Sequence, residues 1–281
     1  MKKTLCFTVL CLLSTWCFSQ ELHVMTFNIR LNTASDSANA WPFRKDMAAS
    51  QILFHKAHTI GVQEALHNQM MDLKERLPQY KYTGGGRDDG KTKGEYSAIF
   101  YDTTRLQMLA TETFWLSQTP TVPGSKGWDA AITRIVTWAR FRDKKTNKVF
   151  YHFNTHFDHK GQEARKESAK LLLRKVKELA GNYPTIITGD FNATPSDEPI
   201  RVLLEAEPDL RFTDAKSISA TPHYGPTGTF TGFGPKETSN DPIDYIFIRN
   251  NLKVLQHATL SQTWGGRFSS DHFPVFATVS L

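Results

Sequence analysis

Beyond residue 17 the 281-residue chain has no cysteine: Cys6, Cys11 and Cys17 are its only three. The rest of the chain therefore excludes disulfides, thiolate metal sites and a cysteine nucleophile. Any metal must be held by oxygen or imidazole. Long apolar runs are also missing after the first twenty residues, so no integral membrane segment is expected in the mature chain. Linkers, internal repeats and low-complexity stretches are absent too. Hydrophobic residues at 40% and charged residues at 22% describe an ordinary globular composition. The net charge of +6 suits a phosphate-bearing partner without requiring one.

The N-terminus reads as an export signal. Lys2 and Lys3 precede a mostly apolar stretch, Leu5 to Trp16, that is short for a bilayer span. Cys17-Phe18-Ser19 offers small residues at peptidase spacing. Residues 1–19 are expected to be a signal peptide and residues 20–281 one domain, secreted or periplasmic. A lipid anchor on Cys17 is disfavoured by the bulky Trp16 before it.

Apolar periodicity gives a mixed chain. Strands are expected at 22–27, 59–63, 80–83, 96–101, 135–141, 149–155, 185–188, 228–233, 243–248, 253–259 and 273–279. Helices are expected at 44–58, 68–77, 162–180 and near 198–205. The helix over 162–180 has the clearest stripe, Ala169, Leu172, Leu173, Val176 and Leu179, and Gly181 as its stop. Gly85 to Thr92 fits the phosphate-loop letters GxxxxGK[ST]. A strand pattern, not a helix, follows it, and two acids lie inside, so nucleotide binding is rejected.

The acids, amides and histidines are placed less ordinarily. Asn28, Glu64, His156, and Asp190 with Asn192 each close a strand-like run. Asp244 lies in such a run, and Asp271-His272 precedes the last one. Singly, each is a solvated strand end or a turn residue. Together, as TFNIR, GVQEA, GEYSAIFYD, NTHFDH, ITGDFNATP, DPIDYIFI and SSDHFPV, they resemble the endonuclease/exonuclease/phosphatase superfamily. The matching stretches run from residue 26 to 275.

The resemblance implies a fold and a set of roles. The fold is a four-layer α/β sandwich: two mainly antiparallel sheets flanked by helices, DNase I-like. The implied activity is metal-dependent hydrolysis of phosphate esters by in-line attack of water. Glu64 is the main metal ligand, helped by Asn28 and Asp271, with Mg2+ as the ion and Mn2+ as an alternative. Asp190 orients or deprotonates the water and Asn192 binds a phosphoryl oxygen. His272, held by Asp244, contacts phosphate or moves a proton, and His156 is the second histidine, braced by Glu95. Arg134 is a candidate phosphate contact or a surface arginine.

The substrate is less legible. The stretch DPIDYIFI is unlike the inositol 5-phosphatase and apurinic-site patterns and closer to nocturnin-like and sphingomyelinase-like branches. A nuclease or nucleotide phosphodiesterase is the first expectation, with nucleic acid or a nucleotide as partner. A lipid or sugar phosphate hydrolase is the second. A non-catalytic binding module is the third, opposed by the intact set of site residues. Trp41, Trp115, Trp128 and Trp264 are core or base-stacking residues, with Trp264 to Arg267 expected to border the site. A monomer is expected.

Overall fold

The computed structural model describes residues 21–234 and 239–281. The expected signal peptide and its cleavage point at Ser19 lie outside the described residues. In chain order the elements are β1 (Glu21–Asn28), α1 (Lys45–Phe54), β2 (Thr59–Ala65), α2 (His67–Arg76), β3 (Tyr80–Thr83), β4 (Tyr96–Asp102) and β5 (Leu106–Trp115). Then come β6 (Ile135–Asp143), β7 (Val149–His156), α3 (Gln162–Ala180), β8 (Thr185–Asp190), α4 (Glu198–Leu204) and β9 (Thr213–Asp214). The chain ends with β10 (Asp244–Arg249), β11 (Lys253–Thr259), β12 (Thr263–Trp264), β13 (Arg267–Phe268) and β14 (Val275–Ser280).

Two six-stranded sheets form, in the orders β11-β14-β1-β2-β4-β3 and β5-β6-β7-β8-β10-β9. Strand alternation explains their stacking. Met25 and Phe27 of β1 pack with Ile52 of α1 and Leu73 of α2. Leu22 and Val24 face the other way, toward Ile186 and Ile246 of the second sheet. On the outer face of that second sheet, Phe153 and Ile187 pack under Leu172 and Val176 of α3 and Leu203 of α4. Helix, sheet, sheet, helix is the expected sandwich. Among the described residues no helix is long and apolar enough to cross a membrane.

One pair in each sheet is parallel, β1 with β2 and β7 with β8; the remaining pairs are antiparallel. This matters for the site. Parallel neighbours end at the same edge, so α1 and α3, each crossing between such a pair, bring two strand tips together twice. Both pairs end at one edge of the sandwich, carrying Asn28, Glu64, His156 and Asp190.

The sheet interface is polar near that edge. Gln63 Nε2 donates to Asn154 Oδ1 (2.7 Å), and Asn154 Nδ2 donates to the carbonyls of Val62 and Ala98. Gly61 is needed there: a Cβ would stand 2.1 Å from Thr188 Oγ1. Deeper in, His152 is bonded on both ring nitrogens, to Thr59 Oγ1 and Thr188 Oγ1, each at 2.7 Å.

His152 supplies an acid-stability prediction. Burial pushes its pKa from 6.5 down to about 3, so the folded state keeps it neutral where the unfolded chain ionises it. The contribution is complete above pH 6.5 and is lost as pH falls toward 3, at about 1.4 kcal/mol per pH unit. His152→Gln is expected to destabilise at pH 7 yet lose less between pH 6.5 and 4.5 than the parent. Urea midpoints at both pH values check this, and equal losses in the two proteins would remove His152 from the account.

One sequence expectation fails, and two elements were not foreseen. Residues 228–233 form no strand; Phe230 makes an isolated bridge to His272, which holds the segment over the site. The ten-residue β5 was not foreseen. It is an edge strand, half exposed and bulged between Met108 and Ala110, so its alternation is broken. Trp264 to Arg267 form a small exposed hairpin, β12 with β13.

Candidate active site

Register decides which side chains meet. Asp190 stands opposite His156 across β7–β8 and opposite Asp244 across β10–β8. β14 runs antiparallel to β1, so the residues just before it, Asp271 and His272, return to the edge where Asn28 sits. Glu64 arrives by a bulge: Gln63 pairs with Ser97 and Ala65 with Tyr96, leaving Glu64 unpaired at φ 64°. A bulge re-aims a side chain that would otherwise follow the strand alternation. Arg30 (φ 57°) and Asn192 (φ 46°) also adopt left-handed backbone. Such strain persists only where neighbours over-determine it, and these three residues all line one cleft.

The cleft encloses about 500 Å³ and is lined by Arg30, Glu64, Arg134, His156, Asp190 and His272, among others. Asp190 is its centre. Its Oδ2 accepts from Asn28 Nδ2 (2.9 Å) and lies 3.4 Å from His156 Nε2 and 3.8 Å from His272 Nε2. Its Oδ1 accepts from the Asn192 amide at 2.9 Å. Burial, with Asp244 nearby, raises its pKa to about 7.

The two histidines are tuned in opposite directions. Burial lowers His156 well below 6.5 and Arg134 adds to this, so its ring is neutral. Asn192 Nδ2 donates to its Nε2 at 3.0 Å. Burial also disfavours the charged form of His272, but Asp244 outweighs it and holds the ring well above 6.5. His272 Nδ1 donates to Asp244 Oδ2 at 2.8 Å, which leaves Nε2 facing Asp190. Asp244 Oδ1 is buried without a protein partner among the described residues. It belongs to the lining of a polar, water-sized hollow shared with Asp214, Thr229 and His257.

The structure thus brings Glu64, His156, Asp190, Asn192, Asp244, Asp271 and His272 to one place, but several expected contacts differ. Asn28 turns its nitrogen to the cleft, donating to Glu64 Oε1 (3.0 Å) and Asp190, while its Oδ1 accepts from the Arg30 amide. In this arrangement its nitrogen holds the two carboxylates in place, and its oxygen takes one hydrogen bond, from the backbone. Both amide hydrogens of Asn192 are engaged, by His156 and by the Phe157 carbonyl. Glu95 does not brace His156. Its carboxylate, raised in pKa by burial, takes Arg87 at 2.7 Å, the charge partner that a desolvated carboxylate requires. Arg134 is no surface residue: it is buried beside Asp158 (3.7 Å) and His159 (3.2 Å), with its Nε lacking a hydrogen-bond partner.

The tryptophans stay out of the cleft. Trp41 donates to Asp72, Trp115 donates to the Arg87 carbonyl, and Trp264 is 37% exposed on its hairpin. Phe230, against the His272 ring at 4.9 Å, is the aromatic wall instead. Sequence reasoning missed it because the segment was read as a strand. It also missed the side chain of Arg30, whose one signal was its place two residues after Asn28 in TFNIR.

The donor chemistry fits a hard divalent cation. Three carboxylates, Glu64, Asp190 and Asp271, face one hollow, and burial, which disfavours their charged forms, raises the pKa of both Asp190 and Asp271. Single ligand atoms of Glu64, His156 and Asp190 lie within 4.8 Å of one another.

Fold and site together define a hydrolase of phosphoric esters, and the family assignment agrees. Residues 25–272 match the Endonuclease/Exonuclease/phosphatase family, and the chain belongs to it. It is 40% identical to an endonuclease/exonuclease/phosphatase of Bacteroides vulgatus, covering 93% of this chain and 99% of that one, with a TM-score of 0.88. It is 39% identical to the mannosyl-6-phosphatase of Bacteroides thetaiotaomicron over 92% of this chain and all of that one, again with a TM-score of 0.88. Drosophila melanogaster Nocturnin is 26% identical over 88% of this chain, which spans only 43% of that protein.

Proposed function

We propose that this chain is a divalent-metal-dependent phosphatase acting on a sugar phosphate. What carries the hydrolase reading is the meeting of Glu64, Asp190, His156 and His272 in one cleft from strand tips far apart in sequence. The substrate reading rests on the likeness to a mannosyl-6-phosphatase across nearly the whole of both chains. The shape of the site favours it over the nuclease expected from sequence. The cleft, at about 500 Å³, is within the usual size for a small-molecule site. Among the described residues no tryptophan platform for bases lines it, and the lining has two arginines instead of the basic stripe that tracks a nucleic-acid backbone.

In this reading Glu64, with Asp190 beside it, holds Mg2+. When bound, the ion neutralises charge on the phosphoryl oxygens. Asp190 aligns the attacking water and takes its proton. His272, cationic and fixed by Asp244, presents Nε2–H to a phosphoryl oxygen. Arg134 lines the same hollow and adds a positive charge that offsets part of the charge of a monoester dianion. The P–O bond to the sugar breaks as water's oxygen bonds to phosphorus, and the sugar oxygen leaves as the alcohol after taking up a proton equivalent to the one Asp190 accepted and then releases.

A substrate panel tests this. Mannose 6-phosphate, glucose 6-phosphate, bis-p-nitrophenyl phosphate, sphingomyelin, RNA and plasmid DNA would each be incubated with Mg2+ and with chelator. Phosphate release from the hexose phosphates, abolished by chelator, is expected. Faster cleavage of DNA or RNA would return the nuclease reading, and chelator-independent turnover would remove the metal from the scheme. No turnover of anything would favour a binding module.

A further inference from the structure

Arg30 is held more firmly than a surface arginine. Its amide donates to Asn28 Oδ1 (3.0 Å), and its carbonyl accepts from Gln69 Nε2 (2.8 Å) and Arg44 Nη2 (3.4 Å). Its guanidinium forms a two-bond fork with Asp36, both contacts at 3.1 Å. From there it stands 3.9 Å from Glu64 Oε2 and 3.7 Å from Asp271 Oδ2. Three carboxylates thus surround one side chain, and all of its own side-chain hydrogen bonds go to Asp36.

Asp271 is the informative partner. Among the described residues, two groups of three acid or histidine side chains could share an ion: Glu64 with His156 and Asp190, and Asp190 with Asp244 and His272. The second is closed internally by the 2.8 Å bond between His272 and Asp244. Asp271 belongs to neither group. Its Oδ1 accepts from Ser270 Oγ (3.2 Å), and its Oδ2 faces Arg30.

We infer that Arg30 is a resident positive charge occupying the place of a second ion, so that the site takes a single divalent cation and Asp271 serves Arg30 instead of the metal. The inference rests on the metal-dependent reading above. The physical reason is charge balance. A guanidinium beside Glu64 and Asp271 supplies part of the charge those carboxylates need, and it opposes a further cation nearby. Asp36 is what keeps it there, because the fork fixes the guanidinium plane.

Mn2+ titration followed by calorimetry and by electron paramagnetic resonance reads this without turnover. The parent is expected to bind one Mn2+ per chain. Arg30→Gln should bind a second ion or bind the first about tenfold or more tightly, while Arg30→Lys, which keeps the charge, should resemble the parent. Asp271→Asn should keep one ion and lose far less affinity than Glu64→Gln. A circular-dichroism melt shows that each variant folds; if Arg30→Gln does not, the comparison of Asp271→Asn with Glu64→Gln decides. Two ions in the parent, unchanged or weaker binding in folded Arg30→Gln, or equal losses for Asp271→Asn and Glu64→Gln would overturn the inference while leaving the metal reading in place. A parent that binds no Mn2+ would end both.

Discussion

Asp190→Asn is expected to lower kcat by about 10²–10⁴-fold, the range for a positioned proton-transfer group, while the protein stays folded. Asparagine keeps the size of the side chain and can still accept one hydrogen bond from Asn28 or Asn192. It cannot take a proton from water. A second effect should accompany the loss. Burial raises the folded-state pKa of Asp190 from 3.8 to about 7, so folding binds its proton more tightly than the unfolded chain does. Stability from this group is therefore fully present below pH 3.8 and is lost as pH rises through 7. The neutral asparagine carries no such loss, so in chelator at pH 8 the variant should melt at or above the parent temperature. Inactivity together with a higher melting temperature marks a residue kept for chemistry at a cost in stability. A variant retaining most of the parental kcat would remove Asp190 from the mechanism.

Glu64→Ala is expected to raise the Mg2+ concentration needed for half-maximal activity by more than about 100-fold, since loss of even an outer-shell partner commonly costs 10–100-fold. The fold should survive, because alanine at this left-handed bulge is no more strained than glutamate. What disappears is an acceptor for the Leu31 amide (3.1 Å) and for Asn28 Nδ2 (3.0 Å). Activity measured across a Mg2+ series gives the midpoint. An unshifted midpoint with reduced kcat would make Glu64 a positioning residue and move the ion elsewhere.

Much of this was legible in the sequence because the informative residues close strands. Asn28, Glu64, His156 and Asp190 stand at the ends of apolar runs, and a strand end is visible in the letters. The helix over Gln162–Ala180 was legible to the residue, from its stripe and its glycine stop. What stayed hidden depends on other chains of contact. No local pattern could show that Glu64 is a bulge residue, because the bulge is defined by pairing with β4. Glu95 was matched to His156 by family likeness, and the loop that supplies Arg87 redirected it. Trp264 lies near Asp271 in sequence, yet the β12–β13 hairpin carries it to solvent. Arg44 has no local pattern that shows its role. It is buried and donates to the carbonyls of Ile29 and Ser269 at 2.8 Å each, joining the loops after β1 and before β14.

That joining has a consequence for biosynthesis. β14, the last described strand, lies between β1, the first described strand, and β11. Until residues 275–280 leave the ribosome, one flank of β1 has no hydrogen-bonding neighbour, and Asp271 and His272 have only just emerged. The nascent polypeptide must carry that raw strand edge through nearly all of its translation, an invitation to mispairing and aggregation. Closing a ring of contacts between the two ends of the chain also makes folding slow. The catalytic centre therefore comes into being as the closing event, and a ribosome that stops a few dozen codons early releases no partially active enzyme.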